Sequence, residues 1–262
     1  MLKWGILIVS TGDREESMLI TLASISKYYP MAPVTAVLQG YNLESPVYKH
    51  PQIERILSYS EGIGPHSARV AALSIMLDDE YDAVINFDDD MELIPETDLR
   101  PSIVRSQSKG VGLVSNNWRR SHSMIEKVKR QHTFKPQAIV PTGGGLTYSR
   151  RTGHIILEGP DLDYLFDDVE WSLRSYLAGL QNQRYLGSLS VHAIMGAGGR
   201  NGWVNKRERA LSDSRFVEHQ PMIKATTTTG PKNGYKIPLS GDLTRETHEI
   251  HRKNRIKILG GL

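Results

Sequence analysis

AVINFDDDMELIP, residues 83–95, sets a short apolar run directly in front of three consecutive aspartates. A run of this length with β-branched members, bounded by polar residues, predicts a buried strand with Asp88, Asp89 and Asp90 at its carboxyl end. Neighbouring carboxylates raise one another's pKa unless a cation stands close, so the segment calls for a positive partner. Side chains two apart on a strand share a face. Asp88 and Asp90 can therefore reach one ion, while Asp89 points away or braces the turn. All-oxygen ligation suits Mg2+ or Mn2+, which commonly bridge one or two carboxylates to the phosphates of a substrate. The alternative is an acidic turn that caps the next segment.

Working outward, GILIVS (5–10) reads as a strand and Met18, Leu19, Leu22 and Ile25 as the apolar stripe of a helix stopped by Pro30 and Pro33. VTAVLQG (34–40) and residues 53–59 read as further strands, and Gly62 to Pro65 lead into a helix carrying Ala68, Ala71, Ala72, Ile75 and Met76. Alternating strands and helices imply an α/β fold with a mostly parallel sheet, whose ligands bind beyond the carboxyl ends of the strands. After residue 110 the alternation loosens: VGLVS (111–115), a basic stretch to Lys135, AIVP (138–141), three glycines, LTYS, and a helix near Asp168 to Leu177. No Pro/Ser linker or internal repeat divides the chain, so one two-part domain is expected. Its nucleotide-binding half would span 1–115, its acceptor half 116–200 and a loop-rich basic extension 201–262.

The 262 residues contain no cysteine, which excludes disulfides, cysteine-ligated zinc, iron–sulfur clusters and a thiol nucleophile. No stretch approaches the apolar length of a membrane span, and the opening apolar run is too short for a signal peptide, so a cytoplasmic chain is expected. The net charge of +3 conceals segregation. Residues 78–98 hold ten carboxylates and no Lys or Arg, whereas the segment from Arg200 onward holds 13 basic against 6 acidic residues. That tail is either a solvated surface or a sign of polyanionic company.

In order along the chain, GILIVSTGDR, the 64–72 segment with Arg69, INFDDDMELIP, PTGGGLTYSRR and FDDVEWSLRSYLAG resemble family 2 and related glycosyltransferases of the GT-A fold. The resemblance spans about residues 5–195. It implies a mostly parallel sheet flanked by helices, with a smaller acceptor-side subsheet. It also implies a UDP-sugar donor, a divalent metal (Mn2+ or Mg2+) and transfer of the sugar to a hydroxyl acceptor.

By the same resemblance, Thr11, Asp13 and Arg14 lie against the nucleotide, and Arg69 lies near the base or diphosphate. Asp88 faces the ribose, Asp89 belongs to the same donor-binding group, and Asp90 holds the metal. Gly144, within the Pro141 to Gly145 loop, lets the sugar approach the backbone; the alternative is a tight turn. His192 matches a late metal ligand, or is simply a packed histidine. Asp167 and Asp168 match an acidic pair, of which Asp168 would be the general base of an inverting transfer, unless the pair merely caps its helix. One departure concerns the base: where such enzymes often carry acidic residues after the second strand, this chain has Gln39 and Asn42.

Between Asn116 and Pro136 stand six basic residues and one acidic, interleaved with Trp118 and histidines. Cations for phosphates and an aromatic for stacking suit a nucleic-acid groove. The size and charge are similar to those of GT-A enzymes, associated with phage DNA modification, that act on hydroxymethylated pyrimidines. DNA is thus the expected acceptor partner, ahead of a saccharide or a lipid-linked glycan. A nucleotidyltransferase of similar fold and a non-catalytic nucleic-acid-binding module are the rival classes.

Overall fold

The protein is described from a computed structural model, which covers residues 2–119, 125, 131–137, 140, 145–158, 171–172, 174–176 and 178–192. The strands are β1 (Trp4–Thr11), β2 (Val34–Gln39), β3 (Ile53–Tyr59), β4 (Ala83–Asp88), β5 (Met91–Leu93), β6 (Val111–Arg119), β7 (Phe134–Pro136), β8 (Leu146–Ser149) and β9 (Gln181–His192). The helices are α1 (Glu15–Tyr28), α2 (Pro65–Asp78), α3 (Arg100–Ser106) and α4 (Arg150–Leu157).

One continuous sheet runs in the order β3-β2-β1-β4-β8-β6-β9-β5, with β7 also on β9. The strands from β3 to β4 are parallel, as the alternation of strand and helix requires. Beyond β4 the sheet becomes mixed. β8 runs antiparallel to both β4 and β6, β9 is parallel to β6, and β5 and β7 are antiparallel to β9. The later strands extend the same sheet and form no separate subsheet among the described residues.

Alternate residues of each strand feed opposite layers. Ile6 and Ile8 of β1 and Ile85 and Phe87 of β4 pack with Met18, Leu22 and Ile25 of α1 and Ile103 of α3. Leu7, Val9 and Val84 pack with Ala68, Ala72, Leu73 and Met76 of α2, Ile156 of α4, and Trp171. The helices form where the sequence favours them. α1 carries Glu15 and Glu16 in its first turn, where the helix dipole favours anions, and ends ahead of Pro30. α2 opens on Pro65, whose missing N–H costs nothing at that position. No helix among the described residues is long and apolar enough to cross a membrane.

The carboxyl ends of β1 and β2 are held close by two glycines. A β-carbon on Gly12 would stand 2.3 Å from the carbonyl oxygen of Gly40, a collision of backbone with backbone that no rotamer relieves. Gly12→Ala is therefore expected to cost about 1–3 kcal/mol and to lower the melting temperature by about 2–4 °C for each of them. Scanning calorimetry checks this; an unchanged transition would show that the two loops can part freely.

Candidate functional site

The parallel register sets Val9 beside Asp88 and Thr11 beside Gln39, so the ends of β1, β2 and β4 share one edge. The three aspartates leave β4 at this edge in three directions. Asp88 is partly exposed and accepts from the Arg69 guanidinium at 2.8 Å. Asp90 is also partly exposed and meets Arg14 at 2.8 Å. Asp89 turns inward and is 5% exposed. Its two oxygens take the Nε and the terminal nitrogen of Arg14 at 2.9 and 2.7 Å, a bidentate pair. The positive partners that the acidic run demands are thus two arginines of this chain.

Asp89 braces the turn, the second of the two roles its position allowed. Ser10 donates to Asp89 at 2.6 Å and is itself 2.6 Å from the Tyr41 hydroxyl. Because the single Ser10 proton goes to Asp89, Tyr41 must be the donor to Ser10. Thr21 of α1 donates to the Asp89 carbonyl at 2.9 Å, and Ser24 accepts from the Leu93 amide at 3.0 Å. The buried polar residues of α1 therefore clamp the turn from beneath.

Burial raises the Asp89 carboxyl to about 6, against the pull of Arg14 and the Ser10 hydrogen bond. For Arg14, burial opposes the charge, but Asp89 and Asp90 outweigh it and hold the guanidinium above its ordinary value. Burial raises Tyr41 as well, which keeps its donor proton in place.

Thr11 donates to Asp13 at 2.5 Å on the open side of the same edge. Gln39 is buried, and its oxygen accepts from the Ile63 amide at 2.7 Å, tying β2 to the loop before α2. Asn42 likewise accepts from the Glu44 amide at 3.0 Å. Both carboxamide oxygens are thus engaged within the protein, Gln39 by the loop before α2 and Asn42 by its own loop.

Gly144, Asp167 and Asp168 lie outside the described residues. Their neighbours are anchored: Gly145, at φ 94°, lies so close to the Phe87 ring that a β-carbon would come within 2.8 Å of it. Trp171, three residues after Asp168, donates its indole N–H to His66 Nε2 at 3.3 Å. His66 and Arg69 are both buried residues of α2, so one helix touches both the Asp88 edge and the segment that follows the acidic pair. Backbone register sets His192 opposite Met91, the residue after Asp90.

The donor set suits a hard cation: Asp88 and Asp90 offer carboxylate oxygens at a partly open edge. Among the described residues no group of three or more acidic, His or Cys side chains converges on a metal position.

No protein-family model matches the chain, and no curated protein matches it in sequence. Solved structures match it in shape. GalNAc-T7, solved with UDP, GalNAc and Mn2+, superposes with a TM-score of 0.58 at 12% identity, over 97% of this chain and 55% of that one. A structure of S. aureus TarS 1-349 gives 0.52 at 14% identity, over 85% of this chain and 78% of that one. Another S. aureus TarS structure gives 0.55 at 14% identity, over 85% and 47%. The chain spans little more than half of the GalNAc-T7 chain. The mixed sheet with helices on both faces is the GT-A glycosyltransferase fold.

Sequence reasoning missed Ser10, Thr21, Tyr41 and His66. A serine that ends an apolar strand one residue before the Thr-Gly-Asp-Arg loop was the available signal for the first. Nothing local marked the others. Asp89→Ala leaves the partly buried Arg14 cation with half its partners, and the expected loss is about 3 kcal/mol. Pairing Asp89→Leu with Arg14→Met should recover most of that. Urea denaturation of both variants reads the difference, and an unchanged midpoint in Asp89→Ala would show that the pair does not hold the turn.

Proposed function

We propose that this protein is a metal-dependent glycosyltransferase that moves a sugar from a UDP-sugar to a hydroxyl acceptor, with hydroxymethylated pyrimidine in DNA as the acceptor class. The observation that carries the reading is the carboxyl edge of β1, β2 and β4. There Asp88 and Asp90 stand partly exposed, each set by its own arginine, in a sheet of GT-A topology. GalNAc-T7, of like fold, was solved with UDP and Mn2+, which supports the choice of donor and ion. The basic stretch 116–136 supports a polyanionic acceptor.

In this reading Asp90, aided by His192, holds the ion, which when bound neutralises charge on the departing diphosphate. The chain's own residues do the positioning. Arg14 and Asp89 fix the direction of the Asp90 carboxylate, and Arg69 fixes Asp88 for the ribose. Thr11 and Asp13 line the nucleotide side, and Gly144 leaves room for the sugar. Asp168 takes the proton from the acceptor hydroxyl as its oxygen attacks the sugar carbon. The bond from that carbon to the diphosphate breaks, and UDP leaves.

UDP with Mn2+ should stabilise the protein against heat by about 2.7 kcal/mol at a hundredfold excess over Kd, with neither component effective alone. Asp90→Ala should abolish the effect. Asp168→Asn should keep it while lowering turnover at least a hundredfold. Absence of joint stabilisation in the wild type overturns the donor assignment. Release of pyrophosphate in place of UDP would make the protein a nucleotidyltransferase.

A further inference from the structure

The arginines at the Asp88 and Asp90 edge each meet a carboxylate; on the other half of the sheet Arg184 meets none among the described residues. Arg184 of β9 stands opposite Ser115 of β6, and Arg119 lies four residues further along β6. Residues 115, 117 and 119 share a face, so both arginines belong to the side of the sheet away from α3. The opposite side is taken by α3, where Ser102 bonds Asn116 at 2.6 Å and Arg105 bonds Gln183 at 2.8 Å. Lys135 of β7, exposed, is the register partner of Arg184 across the other edge of β9.

Arg184 is half-buried, and its Nε is enclosed without a hydrogen-bond partner among the described residues. Burial, and then the charge of Arg119, push its guanidinium below the ordinary value, with no described carboxylate opposing them. Among the described residues the guanidinium of Arg119 bonds the neighbouring Trp118 carbonyl, at 2.8 Å. A desolvated cation beside a like charge is costly. The planar fork of arginine is the side chain best matched to an oxyanion of phosphate type. In register, Arg119 is opposite Val191, and Val191 opposite Glu92. That sets Arg119 two strand spacings, about 10 Å, from the chain that leaves Asp90. Arg184 lies further still from the Asp88 and Asp90 edge, so a group bound there is not the donor diphosphate.

We propose that Arg184 and Arg119, with Lys135 at the rim, form an anion subsite that takes a phosphate group of the acceptor. The word acceptor rests on the glycosyl-transfer reading; the subsite itself does not.

The test uses the full chain and inorganic phosphate as probe, with sodium chloride of equal ionic strength as control. Phosphate should raise the wild-type melting temperature and chloride should not. Arg184→Gln should lose that response, Arg184→Lys should keep part of it, and both should keep the response to UDP with Mn2+. Arg119→Gln gives the same reading should Arg184→Gln fail to fold. In a second arm, a single-stranded oligonucleotide should bind Arg184→Gln more weakly. Its plot of log K against log salt should be shallower by about 0.7. If Arg184→Gln responds to phosphate like the wild type, the subsite is overturned. If it merely melts higher with phosphate and oligonucleotide responses intact, the pair is a strained structural contact and the subsite is likewise overturned. A phosphate response lost in the variant without oligonucleotide binding in the wild type supports the subsite and overturns nucleic acid as its source. Loss of the UDP and Mn2+ response alone in the wild type overturns the donor reading and leaves the subsite standing.

Discussion

Three adjacent aspartates at a strand end can persist only if their charge is answered, and two arginines from different parts of the chain answer it. Arg14 comes from the loop after β1 and Arg69 from the middle of α2. Because Asp89 is buried, its pairing with Arg14 is an interior ion pair. Its geometry is fixed by Ser10, Tyr41 and Thr21, and the low local dielectric makes each missing partner expensive. The turn from β4 to β5 is thus determined from three sides: by β1, by α1 and by the loop after β2. The exposure of Asp88 and Asp90 follows from that inward commitment of Asp89. The two outer carboxylates face outward since the middle one does not.

The same arrangement explains why the Asp88 and Asp90 edge and the rest of the sheet differ in character. On the β1, β2 and β4 side, cations are met by anions and hydroxyls. On the β6 and β9 side, polar side chains are buried against backbone instead. Asn182 accepts from the Leu113 amide at 3.0 Å and donates to the Ser172 carbonyl at 2.7 Å, and Ser188 accepts from the Asp98 amide at 3.0 Å. These bonds tie β9 to β6, to the helical turn with Trp171 and to the start of α3 without any ion pair.

The first half of the fold was legible because its signals are local. β1 to β4 are apolar runs of the right length, and α1 and α2 bury residues at helical spacing. β9, the longest strand described, was legible only as a short strand around SLS ahead of His192, because QNQR at its start has no apolar residue. Its buried Asn182, Gln183 and Ser188 are tolerable only through partners 69, 78 and 90 positions away. α3 and α4 were missed for a related reason: each is short, and its start is marked by a proline or a capping serine inside a stretch otherwise read as loop. At the site, the three aspartates, Arg14 and Arg69 could be named from sequence. Strand alternation also set Asp89 apart from Asp88 and Asp90; its bidentate pairing with Arg14 could not be read, since the two are 75 residues apart.

The strand order carries a consequence for how the chain reaches this structure. β3, β2, β1 and β4 all come from the first 88 residues and neighbour one another in space. They can therefore pair while the remainder is still being synthesised. β8 must afterwards lay itself along the bare flank of β4, and β6 and β9 must close on it in turn, each bridging a long stretch of chain. Loop-closure entropy makes such steps slow. Until they finish, the open side of β4 is an unprotected ribbon of backbone donors and acceptors. The interval between the two halves is when the nascent molecule is most exposed to self-association.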